Sequence, residues 1–195
     1  MDSIRCFDVL FAFLGIVILL PFFIIIALLI KITSAGPILF KQNRVGKNNV
    51  DFKLFKFRTM QVNAESKGQL TVGGRDSRIT NVGYFLRKFK LDELPQLFNV
   101  LNGTMSLVGP RPEVRKFVNF YTVEQQKVLL VLPGITDFAS IEFRNENELL
   151  ANATNPEQYY IEVIMSKKID LNKQFIENRT LKNYFSILFT TVLTS

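Results

Sequence analysis

Residues 9–30 read VLFAFLGIVILLPFFIIIALLI, twenty-two positions without a charged side chain. An α-helix rises about 1.5 Å per residue, so this segment is long enough to cross a hydrocarbon core of about 30 Å. It lacks the small-residue cleavage site of a signal peptide. The segment therefore predicts a membrane helix that stays in the mature protein.

Pro21 lies near the middle of this segment and predicts a break or kink there. Proline donates no backbone hydrogen bond and crowds the carbonyl four residues earlier, and in lipid the freed carbonyl needs another partner. These rules leave two geometries open. One is a kinked helix that spans the membrane, which they slightly favour, and the other is a hairpin that returns to the side of the membrane from which it entered. Basic residues after the segment indicate a cytoplasmic exit, namely Lys31, Lys41, Arg44 and Lys47.

Composition narrows the classes of function. The chain has 195 residues, which fits a membrane anchor (residues 1–33) followed by one domain (residues 34–195). Its net charge of +7 predicts an anionic partner, which leaves nucleic acid, a phosphorylated substrate and an anionic membrane face open. The absence of histidine excludes Ser-His-Asp and Cys-His mechanisms and favours oxygen-liganded Mg²⁺ over Zn²⁺. A single cysteine, Cys6, excludes an internal disulfide.

The rest of the chain predicts an α-rich α/β domain. Basic, aromatic and β-branched residues at 38–60 indicate short strands or an irregular surface layer, and glycines at 63–76 indicate a mobile loop. Helical spacing predicts core-facing helices over residues 82–90 and 94–101, and further helices over 114–132 and 170–193. The last helix either lies on the membrane or packs in the core.

Residues 91–113 read LDELPQLFNVLNGTMSLVGPRPE, with adjacent carboxylates at Asp92 and Glu93 and a rigid Pro-Arg-Pro element at 110–112. One reading is a solvated acidic turn at a helix start, which is common. Basic residues on both sides favour a site for a phosphorylated substrate and a metal. A carboxylate is ionised at neutral pH and can attack phosphorus without a separate base when cations offset the phosphate charge.

Three further pieces, QNRVG at 42–46, DSRIT at 76–80 and PGIT at 133–136, complete a pattern over most of residues 1–136. The pattern resembles the bacterial sugar transferases, monotopic phosphoglycosyl transferases that act on polyprenyl phosphate. That family usually has glycine after PGIT, whereas Asp137 follows here. The resemblance implies a small compact catalytic domain on a re-entrant helix-break-helix membrane helix, which reverses the slight preference for a span.

The resemblance also implies a reaction. A sugar 1-phosphate, which we expect to be of an N-acetylated hexosamine, would move from a UDP-sugar to undecaprenyl phosphate with release of UMP. This step would start O-antigen, capsule or glycoprotein glycan synthesis on the cytoplasmic face of the bacterial inner membrane. The implied partners are UDP-sugar, undecaprenyl phosphate and membrane lipid, with no nucleic acid, and a homodimer is left open.

The residue roles follow from the matching motifs. In the similar family the Asp of this motif is the nucleophile, and the adjacent Glu assists with metal and proton handling. Asp92 and Glu93 are thus expected to be catalytic and to hold Mg²⁺. The matching basic positions, expected near the diphosphate or the carrier phosphate, are Lys56, Arg58, Arg87 and Arg111.

Two alternatives remain at this level. The chain could be a non-catalytic, membrane-tethered protein whose basic face binds anionic lipid or polysaccharide, with strong salt dependence. That reading accounts for charge and anchor, but it has no need of Asp92, Glu93 and the Pro-Arg-Pro element together.

The second alternative concerns Arg44 and Arg78. These arginines belong to matching motifs, or they form surface ion pairs worth under about 1 kcal/mol each.

Overall fold

Helices dominate this computed structural model, which describes residues 3–64 and 76–194. Two small two-stranded sheets complete the described part. The predicted α-rich α/β class is confirmed. Most of the predicted loop at 63–76 lies outside the described residues.

The elements follow in chain order. The helices are α1 (Ser3–Thr33), α2 (Asn81–Lys88), α3 (Gln96–Leu101), α4 (Arg115–Val118), α5 (Phe138–Glu142), α6 (Glu146–Ala151), α7 (Pro156–Tyr159), α8 (Ser166–Glu177) and α9 (Leu181–Thr194). The strands are β1 (Leu39–Val45), β2 (Asp51–Phe57), β3 (Ser106–Val108) and β4 (Gly134–Thr136). Short 3-10 turns cover Lys47–Asn49, Leu91–Glu93 and Gln125–Leu130, and a π-helical segment covers Tyr160–Met165.

α1 runs through Pro21 without interruption, so the predicted break does not end the helix. Proline removes one backbone donor, and the turns on either side keep their own hydrogen bonds. Within the described part, α1 alone is long and apolar enough to cross a membrane, with a mean hydropathy of 3.2 in its 18-residue window. Its position in a membrane stays a prediction.

One stripe of α1 packs against the domain along the whole helix. Its buried residues recur at helical spacing, and they are Ile4, Asp8, Ala12, Phe23, Ile26 and Ile30. Gly15 continues the stripe, because a Cβ at this position would lie 3.3 Å from Leu97 Cδ1. The opposite face of the helix is exposed and apolar.

β1 and β2 form an antiparallel hairpin with a register from Leu39↔Phe57 to Val45↔Asp51. Asn48 and Asn49 turn the chain with φ of 57° and 63°, a left-handed conformation that asparagine tolerates well. The predicted short strands are therefore confirmed. The buried Asn99 of α3 holds the hairpin: its Oδ1 accepts from Phe55 N at 2.9 Å, and its Nδ2 donates to Lys53 O at 2.8 Å.

β3 and β4 are parallel, with Ser106 opposite Gly134 and Val108 opposite Thr136. The segment just after β3 and the start of β4 approach each other very closely. A Cβ on Gly134 would lie 2.1 Å from Gly109 N, so only glycine fits at position 134. This approach brings the Pro-Arg-Pro element against residues 134–137.

A buried carboxylate joins α1 to β3 and α9. Asp8 is 1% exposed, and its Oδ1 accepts from Ser106 Oγ at 3.0 Å, Leu107 N at 2.9 Å and Tyr184 Oη at 2.8 Å. Arg5 lies 3.9 Å from Asp8 Oδ2 and donates to Val100 O, near the end of α3, at 2.6 Å. We call these contacts the Asp8 network.

The predicted helix over 114–132 is wrong in extent. α4 ends at Val118, and a 3-10 turn begins at Gln125. Thr122 and Gln125 explain the restart, because Thr122 Oγ1 accepts from Gln125 N at 3.2 Å and Gln125 Oε1 accepts from Thr122 N at 2.9 Å. This reciprocal pair has the pattern of a capping box, which begins a new helical segment.

The predicted helix over 170–193 is two helices. α8 ends at Glu177, and Thr180 accepts a hydrogen bond from Asn183 N at 3.2 Å to begin α9.

The prediction of core-facing helices also needs correction in α2, where Leu86 is buried but Phe85 and Phe89 are 56% and 52% exposed. Spacing identifies an apolar face, whereas the neighbouring elements decide what that face contacts.

Candidate active site

The carboxylate pair, Asp92 and Glu93, lies in the 3-10 turn between α2 and α3. Lys90 takes a left-handed conformation with φ of 52°, which redirects the chain after α2. Leu91 and Leu94 then pack into the apolar cluster of α1. Asp92 is only 6% exposed, so the reading of a solvated acidic turn is wrong.

Glu93 is held by two cations. Lys56 Nζ lies 2.8 Å from Glu93 Oε1, and Arg111 Nη1 lies 3.1 Å from Oε2. Arg111 Nη2 also donates to Oε1, which completes a bidentate pair. Residues from β2, the turn before α3 and the Pro-Arg-Pro element thus meet at one carboxylate.

These ion pairs set the protonation of Glu93. Burial by itself raises the pKa of its carboxyl, but Arg111 and Lys56 outweigh burial and hold that pKa well below its usual range. In return, Glu93 raises the pKa of Arg111, although burial of the guanidinium acts against it. Glu93 is therefore a fixed anion at neutral pH.

Asp92 has different surroundings. No side-chain hydrogen bond or ion pair to Asp92 is present within residues 3–64 and 76–194. Burial raises the pKa of its carboxyl, Lys56 lowers it, and the charge of Glu93 raises it further, for a net increase. Arg87 and Arg111 act in the lowering direction. The two neighbouring carboxylates therefore have opposite pKa shifts.

Lys56 and Arg87 face the pair from β2 and α2. Burial lowers the pKa of the Lys56 ammonium, and the charge of Glu93 opposes this effect. Burial likewise lowers the pKa of the Arg87 guanidinium, with Asp92 opposing it. Both cations line the same cavity as Asp92, and their predicted contact with phosphate stays a prediction.

The Pro-Arg-Pro element is fixed through its main chain. Arg111 N donates to Asp137 Oδ2 at 3.0 Å, and Gly134 N donates to Pro110 O at 3.0 Å. On the other side, Arg44 Nη1 donates to Pro112 O at 2.9 Å. The guanidinium of Arg111 is thus presented to Glu93 from a rigid backbone.

Arg44 and Arg78 are not surface ion pairs. Arg44 is largely buried and lies 3.8 Å from Glu113 Oε2. Arg78 is also largely buried and is paired with Asp76, two residues away. The alternative that treated both as weak exposed pairs is wrong.

Arg58 is the predicted phosphate contact that the structure does not bring to the carboxylate pair. Its buried guanidinium donates to Ser34 O at 2.7 Å, to Ser34 Oγ at 2.8 Å and to Ala35 O. A cation placed on carbonyls at a helix C-terminus is favourable. These contacts fasten the end of α1 to β2, and Arg58 also lines a cavity that includes Asp92, so its predicted phosphate contact stays a prediction.

Two cavities meet at Asp92. The basic cavity has a volume of about 300 Å³, and its lining includes Arg87, Lys90, Arg111, Phe143, Arg144 and Lys168. The mixed cavity has a volume of about 360 Å³, and its apolar lining includes Pro37, Phe40, Phe57, Met60 and Val62. Four residues line both, namely Arg44, Lys56, Arg87 and Asp92.

Asp92 and Glu93 supply the oxygen ligands that Mg²⁺ prefers. Among the described residues, no group of three or more His, Cys, Asp or Glu side chains is arranged to hold a metal ion. The donor set therefore fits an ion that shares its coordination with substrate phosphates and water, which is usual for Mg²⁺ at phosphoryl-transfer sites.

Several residues of the site have no role in the sequence-based hypothesis. The lining of the basic cavity also includes a Lys168–Glu146 ion pair, and Tyr160 donates to Glu113. These pairs join distant parts of the chain, so no local spacing reveals them. Asp137 does have a local signal, because an Asp between a strand and a helical run is a typical N-cap.

The model of the family described as bacterial sugar transferase matches residues 3–195. The chain belongs to the bacterial sugar transferase family. The predicted resemblance is therefore confirmed. The family match also extends over α5 to α9, beyond the motifs at residues 1–136 that carry the resemblance in the sequence.

The family includes named relatives. The UDP-N-acetylgalactosamine-undecaprenyl-phosphate N-acetylgalactosaminephosphotransferase of Aeromonas hydrophila is 46% identical over 140 residues, covering 70% of this chain and 33% of the relative. The UDP-glucose:undecaprenyl-phosphate glucose-1-phosphate transferase of Escherichia coli K12 is 34% identical over 196 residues, covering 96% and 39%. The exopolysaccharide production protein ExoY of Sinorhizobium fredii is 32% identical over 205 residues, covering 97% and 84%.

Proposed function

We propose that this bacterial sugar transferase moves a sugar 1-phosphate from a UDP-sugar to undecaprenyl phosphate and releases UMP. The observation that carries the proposal is the unequal pairing of the two carboxylates: Lys56 and Arg111 bind Glu93, while Asp92 lies where two cavities meet. The names of the Aeromonas and Escherichia relatives support this reaction class. The product would start O-antigen, capsule or glycoprotein glycan synthesis.

The reaction has two displacements at one phosphorus. A carboxylate oxygen of Asp92 attacks the β-phosphorus of the UDP-sugar, and the bond to the bridging oxygen breaks so that UMP leaves with that oxygen. A phosphate oxygen of undecaprenyl phosphate then attacks the same phosphorus and releases the Asp92 carboxylate. The product is undecaprenyl diphosphate sugar, and the kinetics are ping-pong.

The basic side chains have a role in both displacements. Negative charge is spread over the phosphoryl oxygens in the transition state, and preorganised cations stabilise it. Lys56, Arg87 and Arg111 line the basic cavity beside Asp92. Glu93 holds Lys56 and Arg111 in place and, as a fixed anion, assists with metal binding rather than with proton transfer.

The two cavities suggest separate approaches for the two substrates. We assign the diphosphate of the UDP-sugar to the basic cavity because of its charge. We assign the approach of the lipid phosphate to the mixed cavity, whose lining includes Phe40, Phe57 and Val62. Pro37 also lines this cavity and follows the end of α1, which would bring the membrane-borne carrier to Asp92.

We propose Mg²⁺ as the cofactor. Asp92 and Glu93 would hold the ion together with diphosphate oxygens. When bound, it would neutralise charge on the diphosphate and on the departing UMP.

We also propose a cytoplasmic domain on a monotopic α1. Membrane association follows from the exposed apolar face of α1, and the contacts of both its ends argue against a simple span. Asp8 contacts β3 and α9 near one end, and Arg58 contacts Ser34 just past the other. A helix that crossed about 30 Å of hydrocarbon away from its domain would lack such contacts along most of its length.

The test is UMP release by the detergent-solubilised protein with Mg²⁺ and undecaprenyl phosphate. The donor panel contains UDP-N-acetylgalactosamine, UDP-N-acetylglucosamine, UDP-glucose and UDP-galactose. We expect an N-acetylated hexosamine donor to support release. Asp92→Asn should abolish turnover, because an amide does not supply the same nucleophile.

Asp170→Asn is the matched control, because Asp170 is an exposed carboxylate on α8. Its turnover should equal that of wild type. Substantial turnover by Asp92→Asn would contradict the covalent step. Absence of release from every donor, together with salt-sensitive binding of anionic vesicles that persists in Asp92→Asn, would favour a membrane-tethered binding protein.

A further inference from the structure

Asp137 is a buried carboxylate outside the pair formed by Asp92 and Glu93. It is 0% exposed and lies between β4 and α5. Its Oδ2 accepts from Arg111 N at 3.0 Å, and its Oδ1 accepts from Ser140 N at 2.6 Å. One side chain therefore joins the main chain of the Pro-Arg-Pro element to the first turn of α5.

Both partners of Asp137 line the basic cavity. Arg111 contributes its guanidinium, which binds Glu93 through both oxygens. Ser140 lines the cavity together with Phe143, and its Oγ is buried without a hydrogen-bond partner among the described residues. A change at Asp137 would therefore alter the placement of Arg111 relative to the first turn of α5.

We propose that Asp137 is a positioning residue for phosphoryl transfer. It would act through Arg111: by holding the Arg111 amide, it would set the angle at which the guanidinium meets Glu93 and the transferred phosphate. This assignment rests on the proposed function. A merely structural Asp137 would be an N-cap of α5, because Asp at an N-cap accepts a hydrogen bond from the amide three residues later.

The two roles can be separated by substitution. Serine is a good N-cap, so Asp137→Ser keeps an acceptor for Ser140 N. Its single hydroxyl oxygen does not replace the second carboxylate oxygen that Arg111 N uses. Asp137→Ala removes both acceptors. Comparison of Asp137→Ser with wild type therefore reports the loss of the Arg111 hydrogen bond, and comparison of Asp137→Ala with Asp137→Ser reports the loss of the cap.

The measurements are kcat and KM for the UDP-sugar that wild type uses, together with Tm. We expect Asp137→Ala to lower Tm by about 2–4 °C relative to Asp137→Ser, because it lacks the cap. Both variants should lower kcat by about tenfold or more, with KM within about twofold, because misplacement of a charged group acts mainly on the transition state. Asp170→Asn should match wild type in all three.

A wild-type kcat in Asp137→Ser would overturn the assignment and leave Asp137 as a cap. Amide hydrogen exchange gives a readout that needs no turnover: Asp137→Ser should lose protection at Arg111 and keep it at Ser140. Unchanged protection at Arg111 would also overturn the assignment. If wild type releases no UMP, the proposed function fails, and the exchange result still decides whether Asp137 holds Arg111.

Discussion

At the scale of single residues, two adjacent carboxylates have different environments although both are buried. Burial raises the pKa of each carboxyl. Arg111 and Lys56 bind Glu93 directly and reverse the effect there, whereas they act on Asp92 only through space. Neighbouring titratable groups whose pKa values are pushed apart are a common basis for separate roles in catalysis.

Lys56→Met tests the electrostatic role of Lys56. The ammonium lowers the pKa of Asp92, so its removal should raise that pKa further. The ionised carboxylate is the reactive form, and activity is therefore lost as pH falls through this pKa. We expect the acidic limb of UMP release against pH to move to higher pH in Lys56→Met.

Lys53→Met is the matched control, because Lys53 is exposed on the same strand. Its acidic limb should coincide with that of wild type. If the acidic limbs of Lys56→Met and wild type coincide while both proteins have measurable turnover, Lys56 does not control the ionisation of Asp92.

Arg111→Lys tests the bidentate contact. Lysine keeps the charge but does not reproduce two parallel hydrogen bonds from a planar fork. We expect kcat/KM to fall by about 100-fold, which is typical for the loss of a preorganised group at a developing charge. Arg115→Lys, at a solvent-exposed ion pair with Asp51, should change kcat/KM by less than about twofold. Near-equal values for the two variants would contradict the role given to Arg111.

At the scale of elements, the first turns of α1 hold three other elements together, namely β3, α9 and α3. Asp8 accepts from Ser106 and Leu107 in β3 and from Tyr184 in α9. Arg5 donates to Val100 in α3. β3 leads into the Pro-Arg-Pro element, and α3 follows the carboxylate pair, so α1 supports both parts of the site.

Asp8→Ala should destabilise the protein strongly. It leaves three buried donors without their acceptor, and we expect the free energy of unfolding to fall by about 2–4 kcal/mol. Tyr184→Phe removes one of the three hydrogen bonds and should cost about 1 kcal/mol. Urea unfolding in detergent measures both.

Cys6→Ala changes an exposed residue in the same turn and serves as the control. Its free energy of unfolding should stay within about 0.5 kcal/mol of wild type. An equally small effect of Asp8→Ala would mean that water replaces the carboxylate and that the Asp8 network does not stabilise the fold.

At the scale of the whole molecule, two helices that pack against α1 also carry exposed apolar side chains. Phe85 and Phe89 extend from α2, which packs near the later part of α1, and Phe189 and Val192 extend from α9. The opposite face of α9 is buried through Tyr184 and Ile187. The core-packing prediction for the last helix is therefore confirmed for one face, and contact of its exposed apolar face with lipid stays a prediction.

Topology is tested by labelling single cysteines in a Cys6→Ala background. Ser3→Cys lies at the start of α1, and Asn152→Cys lies on an exposed turn of the domain. If α1 is monotopic, an impermeant maleimide should label neither site in intact cells and both after lysis. Labelling of Ser3→Cys alone in intact cells would mean that α1 spans the membrane.

The sequence by itself determined the features that depend on local chemistry. These include the long apolar helix α1, the short strands β1 and β2, α2 and α3, and the motif pattern that identifies the family. It also identified five candidate site residues that line one cavity, namely Asp92, Glu93, Lys56, Arg87 and Arg111. Side-chain spacing and residue type specify such features because the interacting groups lie within a few residues of each other.

Only the tertiary structure decided the features that depend on distant partners. It placed Arg58 on the end of α1, joined Asp137 to Arg111, and buried Asp8 among groups about 100 and 176 residues away. It also exposed Phe85 and Phe89. A charge or an apolar face in a sequence does not specify its partner, because burial and hydrogen bonding are set by whichever elements pack against it.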